Sequence, residues 1–287
     1  MKWNTSDIRI RDPFIYVDQK QNTYWLFGTT EAFCSQRETL PIFQCYQSAD
    51  LQTWEGPFTA FKPSADFSPN KEFWAPEVHQ YKDRYYMFAT FRHNDDPRGV
   101  MVLSSDRIQG PYEPYSDGFV TPPEWFSLDG TLYIDQDQQP WIVFCHEWIQ
   151  IQDGTLCAAK LSKDLKTRIS EPIQLFKASE APWTTPIHNQ NEYVTDGPFM
   201  IQKGKRLFML WSSFAEGGYA LGVAESENGR IDGKWKQHEK LVYSLNGGHG
   251  MSFTDLQHKT FIALHAPNSA PNERAVFLSA ENFERCI

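Results

Sequence analysis

The chain has 287 residues, with 27 basic against 36 acidic side chains and a net charge of −9. That balance argues against binding nucleic acid or an anionic membrane surface, and no apolar stretch reaches the ~18 residues that span a bilayer. The polar start lacks a signal-peptide apolar core, so a cytoplasmic location is expected. Cys34, Cys45, Cys145, Cys157 and Cys286 show no CxxC spacing, and read as reduced, mostly buried thiols without a zinc-type ligand cluster.

In chain order, one pattern recurs: a short apolar run, a polar turn and a second apolar run, the signature of a β-hairpin. The copies are Phe14–Val17 with Tyr24–Phe27, Val78–Tyr81 with Tyr85–Ala89, Leu132–Ile134 with Trp141–Phe144, Phe199–Ile201 with Leu207–Trp211, and Met251–Phe253 with Phe261–Leu264. Their turns centre at 20, 82, 137, 203 and 257, a spacing of 54 to 66 residues. Repeats at such a period indicate blades. After each hairpin comes a more polar strand pair, as at Ile42–Pro57 and Val100–Tyr112, which supplies the outer half of a blade. The expected fold is all-β: one domain over residues 1–287, a five-bladed β-propeller with four antiparallel strands per blade. A β-sandwich of short strands would not repeat at this period.

In a propeller the innermost strands surround a central channel, and their first residues gather at one mouth. The segments there are Arg11-Asp12-Pro13, Trp74-Ala75-Pro76-Glu77, Leu128-Asp129-Gly130, Asp196-Gly197-Pro198 and Gly248-His249-Gly250. A single Asp at a strand start is ordinary turn chemistry. Three that share one funnel, Asp12, Asp129 and Asp196, raise one another's pKa and imply a function or a bound cation.

These motifs make the chain resemble glycoside hydrolase family 43, and the resemblance runs over essentially its whole length. It implies hydrolysis, with inversion, of terminal arabinofuranosyl or xylosyl units from short plant-type oligosaccharides. It makes Asp12 the general base and Asp129 the carboxylate that orients the acid and tunes its pKa. The family usually has Glu in a Glu-Gly-Pro motif as general acid, whereas this chain has Asp196-Gly197-Pro198. Asp is one methylene shorter, so the acid is Asp196, or Glu147 at the end of the third hairpin, or Glu180 on the loop entering the fourth blade. The same departure leaves a non-catalytic carbohydrate-binding propeller as the alternative, and a protein-interaction propeller would not need the three carboxylates.

Around the mouth, Phe33, Trp74, Trp148 and Trp183 are candidates to stack on a sugar ring. Glu77, Arg92, His146, His249 and His265 are candidates to contact substrate hydroxyls. Trp25, Trp141 and Trp211 lie inside strands and are expected in the core. His249 also stands where the family often places a His near a cation. No cofactor is therefore expected beyond a possible structural calcium ion in the channel with His249 beside it. The expected partner is an oligosaccharide, and the sequence does not define an oligomeric state.

Overall fold

The computed structural model describes residues 1–30, 42–188 and 191–287. Its strands form five antiparallel sheets arranged as a propeller. The first blade holds β1 (Lys2–Asn4), β2 (Arg11–Asp18), β3 (Thr23–Thr29), β4 (Phe43–Ser48) and β5 (Thr53–Phe61). The second holds β6 (Lys71–Tyr81), β7 (Arg84–Arg92), β8 (Gly99–Ser105) and β9 (Glu113–Pro114). The third holds β10 (Ser127–Ile134), β11 (Pro140–His146), β12 (Thr155–Lys160) and β13 (Ile173–Lys177). The fourth holds β14 (Asp196–Lys203), β15 (Arg206–Ala215), β16 (Gly218–Ser226) and β17 (Trp235–Gln237). The fifth holds β18 (Gly248–Thr254), β19 (Thr260–Ala266) and β20 (Arg274–Ser279). The expected four strands are thus met in the three middle blades. In the first blade β1 adds a fifth strand by pairing with β5, and the fifth blade has three among the described residues.

The order within each blade runs outward from the innermost strand, so β2, β6, β10, β14 and β18 meet around the channel. Blades stack face to face, which buries both faces of their central strands. Every residue of β8 and of β11 is buried, and these strands read as continuous rather than alternating apolar runs. The core is accordingly divided among the blade interfaces. Phe88, Val100 and Val102 of the second blade pack on Ile142, Phe144 and Ala159 of the third. Leu210, Leu221 and Val223 of the fourth pack on Ile262 and Leu264 of the fifth. Trp25, Trp141 and Trp211 are buried, as expected of core residues.

The ring closes through the segment before β2. The Ile10 N–H donates to the Glu273 carbonyl at 3.2 Å, and Arg274 Nε donates to the Ser6 carbonyl at 2.6 Å. The carboxylate of Glu273, which is fully buried, pairs with Arg9 at 3.2 Å and Arg11 at 3.3 Å. Within the channel, Phe14 and Phe199 come from blades that are not neighbours, yet their ring centroids lie 6.4 Å apart. Side chains therefore plug the channel beyond the mouth. Among the described residues no helix is long and apolar enough to cross a membrane.

Candidate active site

Each innermost strand carries the same β-bulge near its start. In the first blade Arg11 pairs with Thr29 and Phe14 with Phe27, so Asp12 and Pro13 together face Gly28. The matching register breaks fall after Trp74, Leu128, Asp196 and Gly248. The first bulge residue is left-handed every time: φ is 52° at Asp12, 46° at Ala75, 56° at Asp129, 53° at Gly197 and 53° at His249. Left-handed backbone is costly for residues with a Cβ, least so for Asp and Asn, and accumulates at functional sites. Asp196 is therefore not the counterpart of Asp12 and Asp129 that the motif spacing suggests. It stands one residue earlier, at the position of Arg11, Trp74, Leu128 and Gly248, and Gly197 takes the bulge. A Cβ on Gly197 would lie 2.7 Å from the His249 ring, so this left-handed position is also sterically closed to larger residues.

Side chains from neighbouring blades hold these bulges. The Ala75 N–H donates to Thr29 Oγ1 at 2.8 Å and the Asp129 N–H to Thr90 Oγ1 at 3.0 Å. The His249 N–H donates to Ser212 Oγ at 2.8 Å, and the Asp12 N–H to His265 Nδ1 at 3.2 Å. Each acceptor is the residue paired with the position just before its own blade's bulge. At the joint between the third and fourth blades that residue is Cys145, and there the Gly197 N–H turns to Asp129 Oδ2 at 2.9 Å. The ring of bonds thus passes through a carboxylate at one joint.

Asp12 is the most thoroughly held of the acids. Thr29 donates to Oδ2 at 2.8 Å, and His249 Nδ1 lies 3.1 Å from Oδ1. Burial alone would push its pKa up, but His249, Arg11 and the Thr29 hydroxyl together leave it below the usual carboxylate value. His249 Nδ1 also approaches Asp129 Oδ2 at 3.6 Å. Burial disfavours its imidazolium, yet Asp12, Asp129 and Asp196 together raise its pKa. His265 behaves oppositely: burial takes its pKa down to about 4. The neutral ring accepts from the Asp12 N–H through Nδ1 and points Nε2 at Asn268 Oδ1, 3.2 Å away.

The other carboxyls move upward. Burial pushes Asp129 to about 8, with the charges of Asp196 and Asp12 adding to it and His249 opposing. Burial also raises Asp196, against a hydrogen bond donated by Tyr219 Oη to Oδ2 at 2.9 Å. Glu147 rises to about 7, again through burial, although Arg98 Nη1 donates to its Oε2 at 2.5 Å. One carboxylate held low beside others held high is the arrangement that general acid–base chemistry uses.

Several expected contacts take a different place. Glu180 is exposed beyond the outermost strand of the third blade and caps its own 3-10 turn, accepting from the Lys177 N–H at 2.9 Å. It is removed from the carboxylates, because the loop after β13 starts three strands out from the channel. The Trp183 ring leans on Trp211, with centroids 4.7 Å apart, and fills the space above Gly222, so it is blade packing rather than a mouth platform. His265 is fully buried and serves the Asp12 backbone instead of a sugar hydroxyl. Glu77 is buried, with His79 Nε2 3.0 Å from its Oε2. Arg92 is tied to Glu72 at 3.0 Å and to the carbonyls of Asp95 and Asp96. His146 stacks on Trp125 at 4.1 Å and meets Gln150 at 2.9 Å, and Trp148 opens a short helix, α1 (Trp148–Ile151), with its ring beside His188. Trp74 lies under the Arg98 guanidinium at 4.8 Å. Phe33 and Cys34 lie outside the described residues, and the other four cysteines are buried free thiols. Sequence reasoning missed Tyr219, Thr29, Arg98 and Glu72. Thr29 was findable, because it ends the second strand of a hairpin whose first strand opens with Arg11-Asp12.

The calcium expectation can be set against the donors present. His249 directs Nδ1 at Asp12 and Asp129, and no group of three or more His, Cys, Asp or Glu side chains among the described residues is arranged to hold a metal ion. That donor set does not fit a cation held by protein side chains.

Comparison with known proteins agrees with the fold. The family model for glycosyl hydrolases family 43 matches residues 5–284. A solved endo-arabinase from Bacteroides thetaiotaomicron VPI-5482 is 41% identical, with a TM-score of 0.88 over 96% of this chain and 95% of that one. An endo-1,4-beta-xylanase from the same organism (21% identity, TM-score 0.75, 97% and 92% covered) shares the fold. So does an alpha-L-arabinofuranosidase from Lactobacillus brevis (17% identity, TM-score 0.74, 94% and 90% covered). Comparison with curated proteins gives no match. With the family model matched across nearly the whole chain and the bulge carboxylates in one mouth, this protein belongs to glycosyl hydrolase family 43.

Proposed function

We propose that the protein hydrolyses α-L-arabinofuranosyl linkages with inversion at the anomeric carbon, Asp12 acting as base and Asp196 as acid. The observation that carries this reading is the split around His249, with Asp12 held below the ordinary carboxylate range and Asp196 raised above it. Asp12, charged and fixed by Thr29 and His249, takes a proton from water as the oxygen attacks the anomeric carbon. Asp196 gives its proton to the departing glycosidic oxygen, and both carboxyls then reset by exchange with solvent. Inversion needs a water between sugar and base, hence a carboxyl separation of about 6.5–9.5 Å. Asp129, joined to the peptide after Asp196 through the Gly197 N–H, orients the acid, while burial and the Asp12 charge favour the acid's protonated form.

Of the three raised carboxyls, Asp196 is the least buried, which suits a group that must touch the leaving oxygen. Its reach falls one methylene short of a Glu, and its place just before the bulge, rather than on it, is where that reach is set. The arabinofuranosyl preference over xylosyl rests on the 41% identical endo-arabinase. The test is hydrolysis of linear arabino-oligosaccharides followed by NMR of the first-formed anomer. A β-configured product supports inversion, and the product series separates internal cuts from release of terminal units. An α-configured first product, or faster turnover of xylosyl than arabinofuranosyl substrates, would sink the proposal.

A further inference from the structure

Arg98 lies outside all five hairpins, on the segment between β7 and β8, and is buried. Its guanidinium is held at two nitrogens and against two aromatic rings. Nε donates to Glu72 Oε2 at 2.6 Å and Nη1 to Glu147 Oε2 at 2.5 Å. The cation lies over the Trp74 ring at 4.8 Å and near the Phe126 ring at 5.6 Å. The Ser127 N–H donates to the Arg98 carbonyl at 3.0 Å, stitching the same residue to the start of β10. Glu72 is in turn held by Arg92 Nη1 at 3.0 Å. A planar fork bound at two nitrogens and packed against aromatic rings has one available geometry.

That geometry decides what Glu147 can do. Its Oε2 is committed to Arg98, while Oε1 has no hydrogen-bond partner among the described residues. The carboxyl is buried at the end of the third hairpin, near enough to Asp196 to be affected by its charge. We propose that Arg98 is a positioning residue for hydrolysis, fixing Glu147 so that Oε1 accepts a hydrogen bond from a hydroxyl of the bound sugar. This rests on the glycosidase reading above and assigns Glu147 to substrate binding rather than proton donation. Burial and the Asp196 and Glu72 charges favour the neutral form of Glu147, and Arg98 is the group that opposes them. Without Arg98 the carboxyl would lose both its orientation and its value as an acceptor.

Steady-state kinetics of Glu147→Gln, Arg98→Met, Arg98→Lys and the Glu147→Gln/Arg98→Met double variant test the idea, on arabinobiose and on a dinitrophenyl arabinofuranoside. A lost hydrogen bond to a charged group corresponds to about 10- to 100-fold in binding. The expected result is a KM raised about tenfold or more by each single change on both substrates, with kcat little altered. The double variant should be no worse than either single one, and Arg98→Lys should fall between, since an ammonium replaces the charge but not the fork. Additive losses, or an Arg98→Met enzyme with unchanged KM, would overturn the proposal. So would a Glu147→Gln loss confined to arabinobiose, which would make Glu147 the acid. If Arg98→Met does not fold, Glu72→Gln loosens the same guanidinium without touching Glu147 and should raise KM in the same way. Calorimetric binding of arabino-oligosaccharides separates this from the function itself. Coupled affinity losses in the variants, beside a wild type that hydrolyses nothing, would keep the Arg98–Glu147 pair and remove the glycosidase reading.

Discussion

The first and fourth blades share one backbone and differ in where the charge sits on it. In the first, Asp12 occupies the left-handed bulge position, its N–H taken by His265 and its oxygens by Thr29 and His249. In the fourth, Gly197 takes the bulge and Asp196 is the strand residue before it, its Oδ2 held by Tyr219. The one-residue offset moves a carboxylate from a place ringed by cationic and hydroxyl partners to one dominated by burial. The contrast teaches that a repeated fold can set opposite protonation states with the same residue type, and because Asp129 is raised on its own bulge as well, the partners at each site decide rather than the bulge position. Replacing both sites breaks that comparison most directly.

Asp12→Asn keeps the shape and removes the water-activating charge, so hydrolysis should fall by about 10³–10⁴-fold while the fold survives. A loss under about tenfold would remove Asp12 as the base. Asp196→Asn should cost about 10²-fold or more on arabinobiose but less than about tenfold on a dinitrophenyl glycoside, whose good leaving group departs without a proton. The pH profile sharpens the same contrast. The acid limb of kcat/KM follows protonation of Asp12 and should lie below the ordinary carboxylate range. The alkaline limb follows loss of the Asp196 proton and should lie above it.

Asp129 gives a contrast between activity and stability. Its carboxyl holds a proton up to about pH 8 when folded, whereas an unfolded Asp releases one near 4. The sign follows from linkage: a carboxyl whose folded pKa is raised costs stability progressively as pH climbs between those values. Asp129→Asn should therefore lower turnover strongly yet raise the melting temperature at pH 8 more than at pH 5, by ~2–4 °C for each kcal/mol relieved. Thermal melts at the two pH values check this, and a lower melting temperature at pH 8 would contradict it.

Much of this was legible in the sequence. The five hairpins show because each inner pair is an apolar run broken by a polar turn, and their period survives in the strand order. The acids at the inner-strand starts show because Asp12, Asp129 and Asp196 precede those runs. The offset at Asp196 does not show, since a bulge is a matter of register and both Asp and Gly tolerate left-handed backbone. Glu180 looked plausible only because its loop enters the fourth blade, and sequence carries no measure of how far out that loop begins. Arg98 and Glu72 stand 49 and 75 residues from Glu147, and no local pattern joins them.

The smallest expected effects test the ring of bonds itself, by comparing a joint that has a hydroxyl with the one that lacks it. Thr90 is fully buried and its Oγ1 accepts the Asp129 N–H. Thr90→Val keeps the volume and strands that N–H without an acceptor, which should cost about 1–3 kcal/mol. Cys145 sits at the corresponding place in the third blade, where the Gly197 N–H is already bonded to Asp129. Cys145→Ser therefore leaves no donor orphaned, and its cost is confined to burying a hydroxyl in place of a thiol, so it should lose less stability than Thr90→Val. Its readout is subtler. A serine hydroxyl competing for the Gly197 N–H would withdraw a bond that favours the charged form of Asp129, raising the Asp129 pKa further. Chemical denaturation of both variants measures the difference. Equal losses at the two joints would mean that the Asp129 carboxylate does not stand in for the missing hydroxyl.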